Sequence, residues 1–185
     1  MYLAIAHSYI VPLFIHILGA ITCLGCSATY HLFNAKSAGT HHFLVRFDYA
    51  GISMMIAGSN TPPIFYSFFC KEMHCKTFQF IILEWRALYL GLMYTFCIAS
   101  FVVLLVPRFD RPRYRPLRGI LFVINGLLSC IPIFHIEYMT DQKYLHDFVS
   151  FPWALGGALY IGGACLYMLK IPERFKPGFF DLCVW

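Results

Sequence analysis

Five apolar stretches, each close to the length of a helix that crosses a lipid bilayer, constrain this 185-residue sequence more than any other feature. A bilayer core needs about 20 apolar residues of helix. Only 12% of the residues are charged, whereas a soluble domain carries about 25%. The sequence therefore predicts an all-α fold, a multi-pass transmembrane helical bundle, with residues 1–185 forming one domain. The predicted spans are Tyr9–Phe33, Gly51–Phe69, Ala87–Val106, Leu117–Phe134 and Phe148–Leu169.

The Lys and Arg residues are distributed unevenly between the loops on the two sides of these spans. Ten fall on one side, three on the other, and Arg86 lies at the edge of a span. Short cytoplasmic loops carry the Lys and Arg excess in membrane proteins. The distribution predicts an N-terminus outside and a C-terminal segment inside, and it accounts for the net charge of +5 without a nucleic-acid partner. The predicted location is integral to the plasma membrane or an endomembrane.

Three polar residues near the predicted cytoplasmic side are the candidate functional residues. Ser27 and His31 are four residues apart and so share a face of the first helix. Asp48 lies where the chain is predicted to re-enter the membrane, at a depth similar to that of His31. Imidazole and carboxylate are ligands that zinc accepts, and a catalytic site usually has three of them from protein. His31 and Asp48 are therefore the beginning of a candidate zinc site, in which Asp48 binds the metal directly or through a bound water.

A simpler interpretation of the same residues stays open. His31 can lie at the membrane interface with the polar tip of its ring in water. Asp48 can act as an N-cap that accepts backbone N–H bonds at the start of the second helix. His16 is fifteen residues before His31, about 22 Å along an ideal helix, and cannot share a metal with it.

Several short segments, in order along nearly the whole chain, resemble one family. Ser27 to His31 is similar to an SxxxH motif of the progestin and adipoQ receptor family, which includes adiponectin receptors and haemolysin III proteins. The segment from Phe47 to Ile52, with Asp48 seventeen residues after His31, resembles its second motif. The likeness continues through Gly58 to Pro63, Tyr66 to Phe68, Tyr160 to Gly163 and Ile171 to Gly178.

The resemblance implies a seven-helix fold with zinc (Zn²⁺) near the cytoplasmic leaflet. The five spans correspond to family helices two to six, so the first and last helices are expected to be lacking. His31 is implied as a direct zinc ligand, Asp48 as the partner of a zinc-bound water and general base, and Ser27 as an assisting neighbour. The family's other two ligands belong to an SHQxxH motif on the last helix. Here the sequence instead ends Leu182-Cys183-Val184-Trp185.

These implications define three possible functions. The first is an adiponectin-receptor-like membrane protein, zinc-associated, that acts in lipid signalling and binds a lipid, steroid or protein-hormone ligand. The second is a zinc-dependent hydrolase of ceramide-like lipid amides in the full-length form, since zinc activates water and polarises a carbonyl. The third is a non-enzymatic membrane regulator of lipid and zinc homeostasis. The chain as written is expected to bind zinc weakly or not at all and to lack hydrolase activity.

Two further expectations concern structure. Small residues let helices approach closely in lipid, so the glycines of the last span are predicted to form a tight helix contact. They are Gly156, Gly157, Gly162 and Gly163. Cys70 and Cys75 flank a short loop, where they either form a disulfide or remain free thiols.

Overall fold

The computed structural model describes residues 2–68, 76–139, 150–172 and 174–175. Cys70 and Cys75 lie outside these ranges, as do the residues from Leu182 onward. The described chain is helical, and its helices are α1 (Tyr2–Phe33), α2 (Ala38–Ser67), α3 (Lys76–Leu105), α4 (Arg115–Leu128), α5 (Cys130–Met139) and α6 (Ser150–Leu169). Two 3-10 turns, Pro107–Asp110 and Pro112–Tyr114, connect α3 to α4.

Among the described residues, four segments are long and apolar enough to cross a membrane. They are Ile10–Phe33, Glu84–Leu105, Pro112–His135 and Phe151–Leu169. They confirm the membrane bundle and agree closely with four of the predicted spans. The outward faces of these helices are apolar, with Phe14 65% and Leu24 68% exposed, as contact with lipid requires.

The second predicted span, Gly51–Phe69, differs most from the structure. Helix α2 already begins at Ala38, where the Ser37 side chain accepts a hydrogen bond of 3.1 Å from the backbone N–H of Thr40. It is 30 residues long, about 45 Å, but it is not among the segments apolar enough to be recognised as spans. Its position explains this, because α2 packs against α1, α3, α4 and α5 and therefore needs fewer lipid-facing side chains.

The fourth predicted span, Leu117–Phe134, is divided into α4 and α5. Pro132 has no N–H to donate to the carbonyl of Leu128, four residues earlier, and the helix is interrupted at Ser129. The Ser129 N–H instead bonds the Gly126 carbonyl at 3.2 Å, and its hydroxyl donates to the Asn125 carbonyl at 3.2 Å. The two helices together still form one apolar crossing.

Buried polar side chains join α2, α3 and α4. The Tyr94 and Thr61 hydroxyls lie 2.6 Å apart, and the Asn125 amide donates to the Ser100 hydroxyl at 2.9 Å. Such bonds between membrane helices contribute about 0.6–2 kcal/mol each. Asn60, in contrast, donates to Ile56 of its own helix at 2.8 Å.

The tightest helix contact lies between α1 and α2, where glycines allow the backbones to approach. A Cβ placed on Gly19 would be 2.8 Å from the Met54 carbonyl oxygen, and one on Gly58 would be 3.1 Å from that of Ile15. The prediction that the glycines of α6 form such a contact is wrong. No described atom lies within 4 Å of a Cβ placed on Gly156, Gly157, Gly162 or Gly163.

The connection between α3 and α4 is organised by Arg118, which is only 4% exposed. Its Nη1 donates to three successive carbonyls, those of Phe109, Asp110 and Arg111, at 2.7, 3.1 and 3.4 Å. Its Nη2 donates to the Tyr167 hydroxyl of α6 at 3.3 Å, and its guanidinium carbon lies 4.5 Å from the Tyr49 ring centroid in α2. One side chain thus joins α2, α4, α6 and the connecting turns; we call this set of contacts the Arg118 clamp.

The orientation of the bundle is open to a direct test. We expect a cysteine introduced as Arg113→Cys, in a background without other reactive thiols, to react with an impermeant maleimide only after the membrane is permeabilised. The physical reason is the excess of basic residues in this loop, which retains it in the cytoplasm. Labelling in intact cells would show that the orientation is reversed.

Candidate functional site

The candidate polar site lies near the connection between α1 and α2. This connection is on the side of the bundle where most of the basic residues are found. Asp48 is ten residues into α2, almost three helical turns. The alternative that Asp48 caps this helix is therefore wrong, because Ser37 occupies the N-cap. Helix α2 also begins well before the point at which the chain was predicted to re-enter the membrane.

Asp48 lies at the interface between the two helices. It is half-buried, and its carboxylate interacts electrostatically with Tyr30, Cys26 and Cys23 of α1. The next turn of α2 shows which part of α1 lies opposite Asp48. A Cβ placed on Gly51 would lie 3.2 Å from the Cα of Cys23. Asp48 therefore faces the turn of α1 that also carries Ser27, which is half-buried.

His31 has a different environment. The residue before it, Tyr30, is 7% exposed and forms part of the helix contact, whereas His31 is exposed. Successive residues of a helix are turned by about 100°, so His31 points away from the buried face. Its ring packs edge-on against Tyr30, with centroids 5.0 Å apart. Of the three candidates, Asp48 and Ser27 are half-buried, whereas His31 is exposed.

These residues do not fit a zinc ion by themselves. His31 and Asp48 offer one nitrogen and one carboxylate, whereas a catalytic zinc has about three protein ligands. Across the described ranges, no group of three or more His, Cys, Asp and Glu side chains is placed to hold a metal. His16 lies elsewhere, half-buried on α1, with its Cα 3.3 Å from a Cβ placed on Gly58.

We expect the purified 185-residue chain to retain less than one zinc per molecule after dialysis. Loss of an outer partner alone lowers metal affinity about 10–100-fold, and the described residues do not assemble a full set of direct ligands. Elemental analysis of the chain and of its His31→Ala variant measures this. Stoichiometric zinc that disappears in His31→Ala would contradict the expectation and show that His31 belongs to a complete site.

A second candidate site is a cavity of 460 Å³ between α2, α4–α5 and α6, reaching Cys23 of α1. Its walls are mostly apolar and include Ile52, Met55, Ile56, Trp153 and Ile161. Its volume and composition are typical of sites for small molecules, which are about 300–1,000 Å³ and apolar with a few polar groups. Sequence analysis missed this cavity because its walls come from helices distant in sequence.

The polar groups of the cavity come from Ser59, Asn60 and Tyr160. The Ser59 hydroxyl donates to the Ile56 carbonyl at 3.2 Å, and the Asn60 amide nitrogen donates to the same carbonyl. The Tyr160 hydroxyl donates to the Phe122 carbonyl at 3.4 Å. With these donors engaged, the Asn60 amide oxygen is an acceptor for a hydroxyl or amide N–H of a bound molecule.

Glycines create the space for this cavity. Gly126, Gly156 and Gly157 line it, and no described atom comes within 4 Å of a Cβ placed on Gly156 or Gly157. The small residues that predicted a helix contact in α6 therefore widen a cavity at this level instead. The glycines are visible in the sequence, but glycine in a membrane helix is compatible with both a close helix contact and a cavity.

Comparison with known proteins shows which family this sequence matches. Residues 1–184 match the family described as Haemolysin-III related. Similar proteins include the "Heptahelical transmembrane protein ADIPOR1" of Oryza sativa subsp. japonica, 34% identical over 92% of this chain and 42% of the relative. The "Adiponectin receptor protein" of Drosophila melanogaster is 36% identical over 89% of this chain and 35% of the relative. The chain thus spans less than half the length of these curated relatives.

Proposed function

Because this chain belongs to the Haemolysin-III related family, we propose that it is the ligand-holding core of an adiponectin-receptor-like membrane protein whose ligand is a lipid. The observation that carries the proposal is the 460 Å³ apolar cavity between α2, α4–α5 and α6. Two of the elements that line the cavity, α4–α5 and α6, belong to segments long and apolar enough to cross a membrane, so a lipid can reach it from the bilayer without passing through water. Lipid signalling would follow from helix movements on binding.

The chemistry of the cavity favours a ligand with a long apolar portion and one hydroxyl or amide group. Apolar side chains form most of the wall, so the apolar portion of a lipid that enters from the bilayer moves between environments of similar polarity, and affinity depends on packing and on the polar contact. The Asn60 amide oxygen supplies a point of attachment for an N–H or O–H group. A ceramide-like lipid has both features, whereas a protein hormone cannot enter a space of this size. A steroid with a hydroxyl group is the main competitor.

Binding is better supported than hydrolysis. Amide hydrolysis by zinc requires a metal with an open coordination position and a bound water. The described donors, His31 and Asp48, do not complete such a site. Zinc association of a protein containing this chain is therefore a further proposal, in which His31 contributes one ligand and Asp48 contacts a bound water.

The binding proposal is tested by displacement of a fluorescent ceramide analogue from the purified protein. Gly157→Leu places a side chain in the cavity and should weaken binding at least about tenfold, equivalent to ~1.4 kcal/mol. Gly163→Leu is the matched control, since it lies on α6, has open space around it and is not part of the cavity wall. Equal affinity for both variants would contradict the proposal, and displacement by sterols alone would assign the cavity to a steroid.

A further inference from the structure

The connection between α3 and α4 exposes an unbalanced positive charge. Arg108 and Arg113 are exposed on its two 3-10 turns, and Arg111 is exposed between them. Asp110 is the carboxylate of the same segment, but it is 13% exposed and lies 2.8 Å from Nδ1 of His42 in α2. The negative charge is therefore held toward the protein, whereas the three guanidinium groups face outward.

The same segment is held in one conformation. Pro107 and Pro112 begin the two turns, and proline fixes the backbone φ angle. The Arg118 clamp binds the last two carbonyls of the first turn and the carbonyl of Arg111 between the turns. The Nε of Arg108 also donates to the Tyr114 hydroxyl at 3.3 Å. Because the backbone is already ordered, binding to the exposed arginines loses little further backbone conformational entropy, and the remaining loss is that of the side chains.

The position of the turns brings these charges to a membrane surface. One apolar span ends at Leu105 and the next begins at Pro112, so the turns lie at the border between hydrocarbon and water. Arginine side chains at such a border extend their charged ends to the headgroup level. Anionic lipids attract basic residues at the cytoplasmic surface, with a contribution that corresponds to about a fivefold change in affinity per residue.

We propose that the arginines of the α3–α4 connection, Arg108, Arg111 and Arg113, form a preorganised docking surface for the anionic lipid headgroups of the adjoining leaflet. The excess of basic residues on this side is already explained by membrane topology. Topology alone does not require the prolines, the Arg118 clamp or the engagement of Asp110 by His42. Those features hold positive charge at a fixed position, as recognition of a phosphate-bearing headgroup needs.

The test compares two triple variants of equal charge. In the first, Arg108, Arg111 and Arg113 are each changed to Gln. In the second, the matched control, three other exposed basic residues of the same side are changed to Gln: Lys36, Lys170 and Arg174. Binding of phosphatidylserine, relative to phosphatidylcholine, is measured by native mass spectrometry of the full chain in neutral detergent. We expect the first variant to lose about a hundredfold in affinity for phosphatidylserine and the control less than about tenfold.

Equal losses in the two variants would overturn the proposal, because net charge rather than the ordered turns would then determine binding. The salt dependence of lipid binding by the wild-type chain provides a second test, which does not depend on whether the variants fold. Preference for phosphatidylserine should be present at low salt and strongly weakened at about 1 M salt, where the screening length is about 3 Å. Absence of any preference in the wild type at low salt would also overturn the proposal.

Discussion

Gly19→Leu is expected to prevent stable packing of α1 on α2. A Cβ at Gly19 would lie 2.8 Å from the Met54 carbonyl oxygen and 3.3 Å from the Cα of Gly58. Both are backbone atoms, so no side chain can rotate away and the helices must separate. Inserting extra methylenes into a packed core, where side chains can still shift, costs about 1–3 kcal/mol, and here leucine adds four carbon atoms against fixed backbone. The expected loss in free energy of unfolding is therefore more than about 3 kcal/mol.

The matched control for this variant is Gly25→Leu. It lies on the same helix, but no described atom is within 4 Å of a Cβ placed there. Thermal unfolding in detergent, followed by the monomer peak in size-exclusion chromatography, measures both. We expect a large decrease in melting temperature for Gly19→Leu and little change for Gly25→Leu. Similar melting of the two variants would show that the close α1–α2 contact does not determine stability.

Arg118→Met is expected to destabilise the bundle by about 3 kcal/mol or more. The change removes hydrogen bonds to three backbone carbonyls and to Tyr167, and a hydrogen bond to a charged group contributes about 1.5–3 kcal/mol. It also removes the contact of the guanidinium with the Tyr49 ring. Methionine fills similar space but leaves the carbonyls without their donor, so packing cannot compensate for the loss.

Arg113→Met tests whether this effect depends on the Arg118 clamp. Arg113 lies in the same connection and carries the same charge, but its side chain is exposed. Unfolding by titration with sodium dodecyl sulfate, monitored by circular dichroism, compares the two variants. Destabilisation by Arg118→Met alone would support the Arg118 clamp as a structural element. Equal stability of both variants would contradict it.

Much of the fold follows from apolar runs of suitable length. The segments ending at Phe33 and Leu169 were predicted closely because lipid exposure demands apolar side chains on most of the helix surface. Helix α2 was the exception. Its first turns carry Arg46, whose Nε donates to the His42 carbonyl at 2.7 Å and whose Nη1 donates to the Leu105 carbonyl at 3.2 Å. The start of α2 therefore carries polar and basic residues that bond to neighbouring backbone, and hydropathy did not locate it.

The polar site was predictable only in part. The predicted span ends placed His31 and Asp48 near one end of a helix pair, but they did not indicate that His31 is exposed while Asp48 is half-buried close to Tyr30. Arg118 was counted as one of many topology-determining charges, since burial of a single arginine depends on Tyr49 and Tyr167 from other helices. Contacts between residues so distant in sequence leave no local pattern.

The central claim, that the cavity between α2, α4–α5 and α6 holds a lipid, is tested most directly through Trp153 in its wall. The sequence has three tryptophans, so Trp85→Phe with Trp185→Phe leaves Trp153 as the only strong emitter. A brominated fatty acid amide quenches tryptophan on contact. We predict saturable quenching of Trp153 that Gly157→Leu weakens at least about tenfold and Gly163→Leu leaves unchanged. Quenching that rises linearly with lipid concentration and is identical in all three proteins would show only partitioning into the surrounding detergent, and would contradict a lipid site in the cavity.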